Sequence, residues 1–485
     1  MLHFTQPSEI APYLKDASQF SGEAKEVFIP ENENEVAELL KEANRRKMAV
    51  TVSGGRTGLS GAAVPLGGWV LSTEKLGRVL EIHKDPQGSN SWARLEPALL
   101  LKDIQRAFEP HSLFYPPDPT GPRAFLGGTL ATNASGPRSF KYGATRRYIR
   151  RIRVVLADGE ILDLRRGQGK AHREGFLEIS APRSGNLKVP LPHYSFPRIK
   201  HAGGYFAEPQ MDALDLFIGS EGTLGVITEI EVRLLPKPEQ VLAFIVFFRR
   251  EEDAWQFVNR LRGLRIVEPR VLEYFDKGSL EFLRPDFPAI PKEAQACLFI
   301  EEESQTARTS SLSDEWHRLF EEGGVRDQIW EGKTPSRQEE FRNFRSALPL
   351  AVKDFLAQRR QVKIGTDTAV PHGKFEELML FHRQEVQKGG FQSVTFGHIG
   401  ESHVHLNILP RNETEAQKAR VLYPPLVKKA LELGGTFSAE HGVGKLKRRY
   451  LADFYGPEAI QEMAAIKRIL DPHLILGQGN IFEIQ

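Results

Sequence analysis

Val52-Ser-Gly-Gly-Arg-Thr-Gly-Leu-Ser-Gly-Ala-Ala-Val-Pro65 follows directly on the apolar run Met48-Ala-Val-Thr-Val52. The run reads as a short buried strand, and the glycines after it as a loop. Glycine lets the backbone approach a ligand closely and adopt positive φ, so that successive amides can cradle a phosphate. The stretch has neither the Lys-Ser/Thr of a Walker A loop nor the G-x-G-x-x-G of a dinucleotide fingerprint. Taken alone, it is either a phosphate cradle or a tight connection between strands.

Two further blocks shift that balance. The second comprises Pro116-Pro-Asp-Pro-Thr120, then Leu126-Gly-Gly-Thr-Leu-Ala-Thr-Asn-Ala-Ser-Gly136, then Lys141-Tyr-Gly-Ala-Thr-Arg-Arg147. Its small residues would let a flat aromatic cofactor lie against backbone, with Thr129, Thr132 and Asn133 offering hydrogen bonds. The third is Gly219-Ser-Glu-Gly-Thr-Leu-Gly225.

Around these blocks the chain reads as mixed helix and strand. Val36, Leu39, Leu40 and Ala43 follow helical spacing over 33–46, with Asn32 and Asn34 as cap candidates. Residues 151–156 and 160–164 read as a hairpin turning at Asp158-Gly159. Residues 164–210, rich in Pro, Gly and Arg, read as a long excursion covering a site. Residues 216–235 read as strand, glycine-rich turn, strand. Pro236-Lys237-Pro238 marks the domain boundary. Beyond it, strands are expected at 242–248, 270–274 and 297–301 and helices at 251–261, 414–433 and 457–470. Such alternation suggests a helix-covered sheet.

Composition narrows the function. The 485 residues suffice for two or three domains. A net charge of +2, from 65 basic and 63 acidic residues, counts against nucleic acid as a partner. The one cysteine, Cys297, excludes a disulfide framework, a Cys-based zinc site and an iron–sulfur cluster within the chain. No secretory signal and no transmembrane run is visible, so the expected location is cytoplasmic, with peripheral membrane attachment as the alternative. The basic cluster Arg146, Arg147, Arg150, Arg151 and Arg153 is expected on a solvated strand and turn face.

In order and spacing the three glycine blocks resemble the FAD-binding domain of the vanillyl-alcohol oxidase / p-cresol methylhydroxylase (PCMH) flavoprotein family. The resemblance runs from about Phe20 to Phe482. It implies an α+β fold: a two-subdomain PCMH-type FAD-binding domain over 1–237, then a C-terminal antiparallel-sheet cap domain with helices over 238–485. By position, Ser53, Gly54, Gly55, Arg56, Thr57 and Gly58 would hold the pyrophosphate. Pro117, Asp118, Gly127, Gly128, Thr132, Asn133, Gly136 and Gly143 would line the dinucleotide, and Glu221, Gly225, Val226 and Ile227 would lie by the flavin and adenosine. Some relatives attach FAD through a His in the first loop. Arg56-Thr57-Gly58 has none, so non-covalent FAD is expected.

Phe396-Gly-His-Ile-Gly-Glu-Ser-His-Val-His-Leu-Asn-Ile-Leu-Pro410 reads as a turn and then a strand. Val404, Leu406 and Ile408 take one face, and His403, His405 and Asn407 the other. Phe437-Ser-Ala-Glu-His-Gly-Val-Gly444 adds a carboxylate and an imidazole. Two imidazoles and a carboxylate suit a catalytic divalent metal, and periodicity does not choose between His403 and His405. The segment resembles the G-H-x-G-D-G-N-x-H-x-N motif of D-2-hydroxyacid dehydrogenases. That resemblance implies His398, His405 and Glu440 as ligands to a divalent metal (zinc favoured), His441 as base, and Asn407 near the substrate. The chain departs from the motif at Glu401, Ser402 and His403; the last either alters substrate fit or adds a ligand. Arg345, in Phe344-Arg345-Ser-Ala-Leu-Pro349, matches the family's carboxylate-binding arginine. Gly365 stands where the family carries a lysine, with Lys363 close by, which weakens a dicarboxylic substrate.

The expected activity is FAD-dependent oxidation of a small D-2-hydroxy acid, of D-lactate or glycolate type, with hydride passing to flavin N5. Alternatives are a D-2-hydroxyglutarate-type dehydrogenase, an alkyl-dihydroxyacetonephosphate-synthase-like transferase and a non-catalytic FAD-binding protein. With no cluster of its own, the chain would pass electrons to an external acceptor: a quinone, a cytochrome, an electron-transfer flavoprotein or a partner subunit.

Overall fold

The computed structural model describes every residue except Ser89, Thr120, Pro122, Arg265, Arg326, Asp327 and Gln485; Thr120 of the second block thus lies outside the described residues. The fold is α+β, as the sequence implies. Its first part is built around two larger sheets. In the smaller, Glu26–Ile29, Trp69–Ser72 and Val50–Ser53 pair in parallel, with Leu2–Phe4 antiparallel on the edge. The helix Glu33–Arg46 makes the parallel crossover, its Val36, Leu39, Leu40 and Ala43 buried and its N-terminus capped by the Asn32 side chain. A five-stranded antiparallel sheet follows, in the order Val79–His83, Trp92–Leu95, Val226–Arg233, Ile149–Val155, Ile161–Arg165.

The second part is an antiparallel sheet that begins at Gln240–Phe248, just after Pro236-Lys237-Pro238. That strand reads as continuous apolar sequence because both its faces are covered. Phe244 and Val246 pack beneath the helices Glu251–Gly263 and Thr309–Glu322, while Ile245 and Phe247 pack against Pro335–Ala357. Its central strands Val271–Asp276, Ser393–Gly397 and His403–Ile408 lie side by side, which brings Glu273, His398, His403 and His405 to one end of the sheet. The chain then returns to its beginning. The helix Pro457–Leu470 joins the core of the five-stranded sheet, and Leu476 bridges in parallel to Val50.

Three expectations are corrected. Ala213–Phe217 is a helix, not a strand: Asp212 and Asp215 form a capping box that outweighs the short apolar run. The 164–210 excursion contains a hairpin, Phe176–Ala181 with Gly185–Pro190, whose Leu177, Ile179 and Ala181 turn into the core. The basic cluster is not simply solvated. Arg146 is buried against Asp215, Arg151 lies between Asp163 and Glu229, and Arg153 is paired with Glu33.

Candidate active site

A single cavity of about 370 Å³ runs from the glycine loops of the first part to the histidines of the second. Gly54, Gly55, Arg56, Thr57 and Gly58 line one end. Gly127, Gly128, Thr132, Glu221, Gly225 and Ile227 form its walls, and Arg345, His398, His405, Glu440 and His441 close the other end. A Cβ on Gly128 would meet nothing within 4 Å, and on Gly54 or Gly58 only an atom at 3.7 or 3.9 Å. Their bare backbone therefore faces open space. This is a cradle that a cofactor's phosphates and ring system fit.

The other expected cofactor residues are not among those lining the cavity. Ser53 is buried with its hydroxyl on Arg56, and Pro117 is buried. Asp118 pairs with Arg138. Asn133 Oδ1 accepts from the Arg146 amide, while Val226 packs in the core. A Cβ on Gly136 would overlap the Asp118 carbonyl, so this glycine serves backbone packing. Gly143 ends the turn Ser139–Tyr142 with φ 75°. Glu221, although on the wall, spends its carboxylate on the amides of Val443 and Gly444 (2.7 Å each).

At the opposite end two imidazoles are aimed alike. His398 Nδ1 lies 2.5 Å from Glu273 Oε1, leaving Nε2 at 3.2–3.3 Å from the Glu440 carboxylate. His405 Nδ1 lies 3.1 Å from the Thr366 carbonyl, leaving Nε2 at 3.2 Å from Glu440 Oε1. An acceptor on one ring nitrogen fixes the tautomer that offers the other to a metal. Two such imidazoles and a carboxylate fit a divalent transition metal. Burial opposes the charge on His398, but Glu273 and Glu440 raise it to about 9. Glu440 also meets Lys200 Nζ at 3.0 Å and Ser135 Oγ at 3.2 Å. Lys200 is buried, and despite that burial Glu401 and Glu440 hold it above the usual lysine range.

His441 stacks on His405, ring centroids 5.1 Å apart, with Nδ1 3.4 Å from Asp367 Oδ2. Burial pushes it down to about 4, so its imidazole is neutral and able to accept a proton. Asp367 is the fixed point beneath it. This buried carboxylate accepts from the amides of Glu440 (3.2 Å) and His441 (3.0 Å), from Ser438 Oγ and from Lys447 Nζ (2.6 Å). Burial alone would raise Asp367; His441, Lys447 and His403 outweigh it and hold the group well below the usual range. Arg345 lines the cavity from the long helix, and its Nε–H donates to Glu273 Oε2 at 3.0 Å. Pro349, one turn on, has no N–H for the Arg345 carbonyl. Asn407 is not among the residues lining the cavity; its Nδ2 donates to the His405 carbonyl, and its Oδ1 lies 2.7 Å from where a Cβ on Gly365 would stand.

Sequence reading missed Lys200, Glu273 and Asp367 as site residues. Glu273 carried a signal, a carboxylate inside the apolar Val271-Leu-Glu-Tyr-Phe275. Asp367, two residues after Gly365, has no other carboxylate or imidazole within four residues of it to mark it. Lys200 lies in the aperiodic excursion, which nothing local marks.

Comparison with known proteins supplies the family. Residues 24–165 match an FAD binding domain, and residues 237–481 match the FAD linked oxidases, C-terminal domain. The chain is 30% identical over 480 residues to glycolate oxidase subunit GlcD of Bacillus subtilis (strain 168), covering 97% of this chain and 92% of that one. It is 30% identical over 486 residues to D-lactate dehydrogenase of Anaerostipes hadrus, again covering 97% and 92%. Among solved structures, alkyldihydroxyacetonephosphate synthase superposes with a TM-score of 0.71 at 16% identity, over 98% of this chain and 81% of that one; this is a likeness of fold. With both family matches in order along one polypeptide, and relatives aligned from end to end, the chain belongs to the FAD-linked oxidases.

Proposed function

We propose that the chain is a dehydrogenase of small D-2-hydroxy acids, of D-lactate or glycolate size, built from an FAD module over 1–237 and a substrate module over 238–485. The observation that carries this reading is the continuous cavity joining the glycine cradle to Arg345, His405, Glu440 and His441. FAD, held non-covalently, would supply the acceptor for the hydride leaving C2, and a divalent metal on His398, His405 and Glu440 would supply positive charge at the C2 hydroxyl. Arg345 binds the substrate carboxylate through its fork of N–H donors, with Glu273 fixing the guanidinium from behind. His441 receives the hydroxyl proton at Nε2 while Asp367, on the Nδ1 side, favours the imidazolium that results. Loss of that proton and of the C2 hydride turns the hydroxy acid into its 2-oxo acid. Electrons then leave for an external acceptor.

Anaerobic stopped-flow mixing with D- and L-2-hydroxy acids tests the reading. Bleaching of the flavin band by D-lactate or glycolate is expected, and no bleaching by any D-2-hydroxy acid in the presence of metal would sink it.

One observation favours a second reading, a substrate with a further carboxylate. Lys363 lines the cavity, and among the described residues it has no hydrogen-bond or ion-pair partner. Lys363→Met would then lower flavin reduction by D-2-hydroxyglutarate at least tenfold more than by D-lactate. Equal effects on both acids would reject it.

A further inference from the structure

The site described above leaves His403 without a task. Its side chain is fully buried beside His405, ring centroids 4.5 Å apart, and 5.2 Å from His398. Among the described residues neither ring nitrogen has a hydrogen-bond partner. Nε2 is 3.2 Å from Asp367 Oδ1 but off the line that a hydrogen bond needs. Buried polar groups are nearly always partnered, so an orphaned imidazole within a cluster of donors points to a missing ligand.

The three imidazoles share one arrangement. His398 turns Nδ1 to Glu273 and Nε2 to Glu440; His405 turns Nδ1 to the Thr366 carbonyl and Nε2 to Glu440. His403 repeats this with its nitrogens exchanged, Nε2 toward Asp367 and Nδ1 3.9 Å from Glu440 Oε2. Each of the four residues His398, His403, His405 and Glu440 offers a ligand atom within 4.8 Å of the others.

We propose that His403 is a fourth protein donor to the divalent metal, binding through Nδ1 while its other nitrogen stays beside the Asp367 carboxylate. The inference rests on the metal reading made under the proposed function and extends it to a set of three nitrogens and one oxygen. Such a set suits zinc, cobalt(II), nickel(II) or iron(II), not magnesium or calcium, whose shells are built of oxygen. Lys200, the cation now at Glu440, keeps Glu401 (3.1 Å) and Ser139 (3.3 Å) as partners when Glu440 serves a metal.

The FAD-loaded protein, stripped with a chelator and reloaded with Co²⁺, provides the test. His403→Asn, which installs the residue the resembled motif carries, should weaken Co²⁺ binding at least about tenfold and shift the visible d–d bands, with FAD content unchanged. X-ray absorption at the metal edge of the unmodified protein should count three imidazoles, a readout independent of whether the variant folds. Two imidazoles there, or unchanged Co²⁺ affinity and spectrum in His403→Asn, overturns the fourth donor and leaves the metal reading standing. Unmodified protein that takes up no Co²⁺ or Zn²⁺ overturns both.

Discussion

In the proposed reaction His441 and Asp367 act as a pair in which one side chain reacts and the other aims it. His441→Ala should abolish flavin reduction by the substrate while leaving FAD bound, read as the ratio of visible to ultraviolet absorbance; loss of FAD would mean a structural role. Asp367→Asn keeps the volume but loses the charge that favours the imidazolium. It should lower the rate of flavin reduction by roughly 10²–10⁴, the range seen when a histidine base loses its orienting carboxylate. Substrate affinity should change far less. Of this site, the residues in short motifs were legible: His398, His405, Glu440 and His441 all reach one cavity end. Asn407 does not line that end, since strand alternation gives its face but not the amide's local bond to the His405 carbonyl. Lys200 and Glu273 act from distant segments, and no local pattern encodes a contact between residues 200 and 440.

The helix Lys277–Leu283 shows how one cap sets a titration. Asp276 at its N-cap accepts from the Ser279 amide at 2.8 Å, yet burial raises the carboxyl from its ordinary 3.8 to about 7. Between those values the folded chain keeps a proton that the unfolded chain releases, so stability falls as pH rises from about 4 to about 7. Asp276→Asn retains the cap and removes the titration. Thermal melts from pH 4 to 8 should show that the variant escapes a loss on the order of 4 kcal/mol at most, by linkage over some three pH units. An equal pH slope in both proteins would contradict this. Elements with amphipathic period and clear caps were readable: Glu33–Arg46 and Pro457–Leu470 fall where the spacing puts them. Ala213–Phe217 was not, since five residues with Asp215 at their centre carry no period and only the capping box of Asp212 and Asp215 decides it. The Phe176–Ala181 strand does alternate, but Arg, Gly and Pro around it hid the pattern.

At the scale of the whole molecule, the glycine cradle and the histidines meet only because the two parts are clasped together. Glu221 receives the amides of Val443 and Gly444, Lys445 reaches the Gly61 carbonyl and Asn480, and the Val50 amide donates to the Ile475 carbonyl. Among the described residues no helix is long and apolar enough to cross a membrane. With FAD in the proposed cavity, walled by both parts, the FAD-loaded protein should melt a few degrees above the stripped one, with about 2.7 kcal/mol gained at a hundredfold excess over Kd. Deleting residues 471–485 would remove the buried Ile475, Leu476 and Ile481 and so expose the core they pack against and the strand edge at Val50. The expected outcome is loss of folded, yellow protein. The clasp also bears on how such chains recombine. A crossover at the Pro236-Lys237-Pro238 hinge would separate the Glu221 loop from the segment 443–482 that it holds, and would strand the closing segment with the wrong parent. A working chimera of two relatives would need two crossovers, one near the hinge and one before Val443, so that the head and tail of the chain are inherited together as one unit.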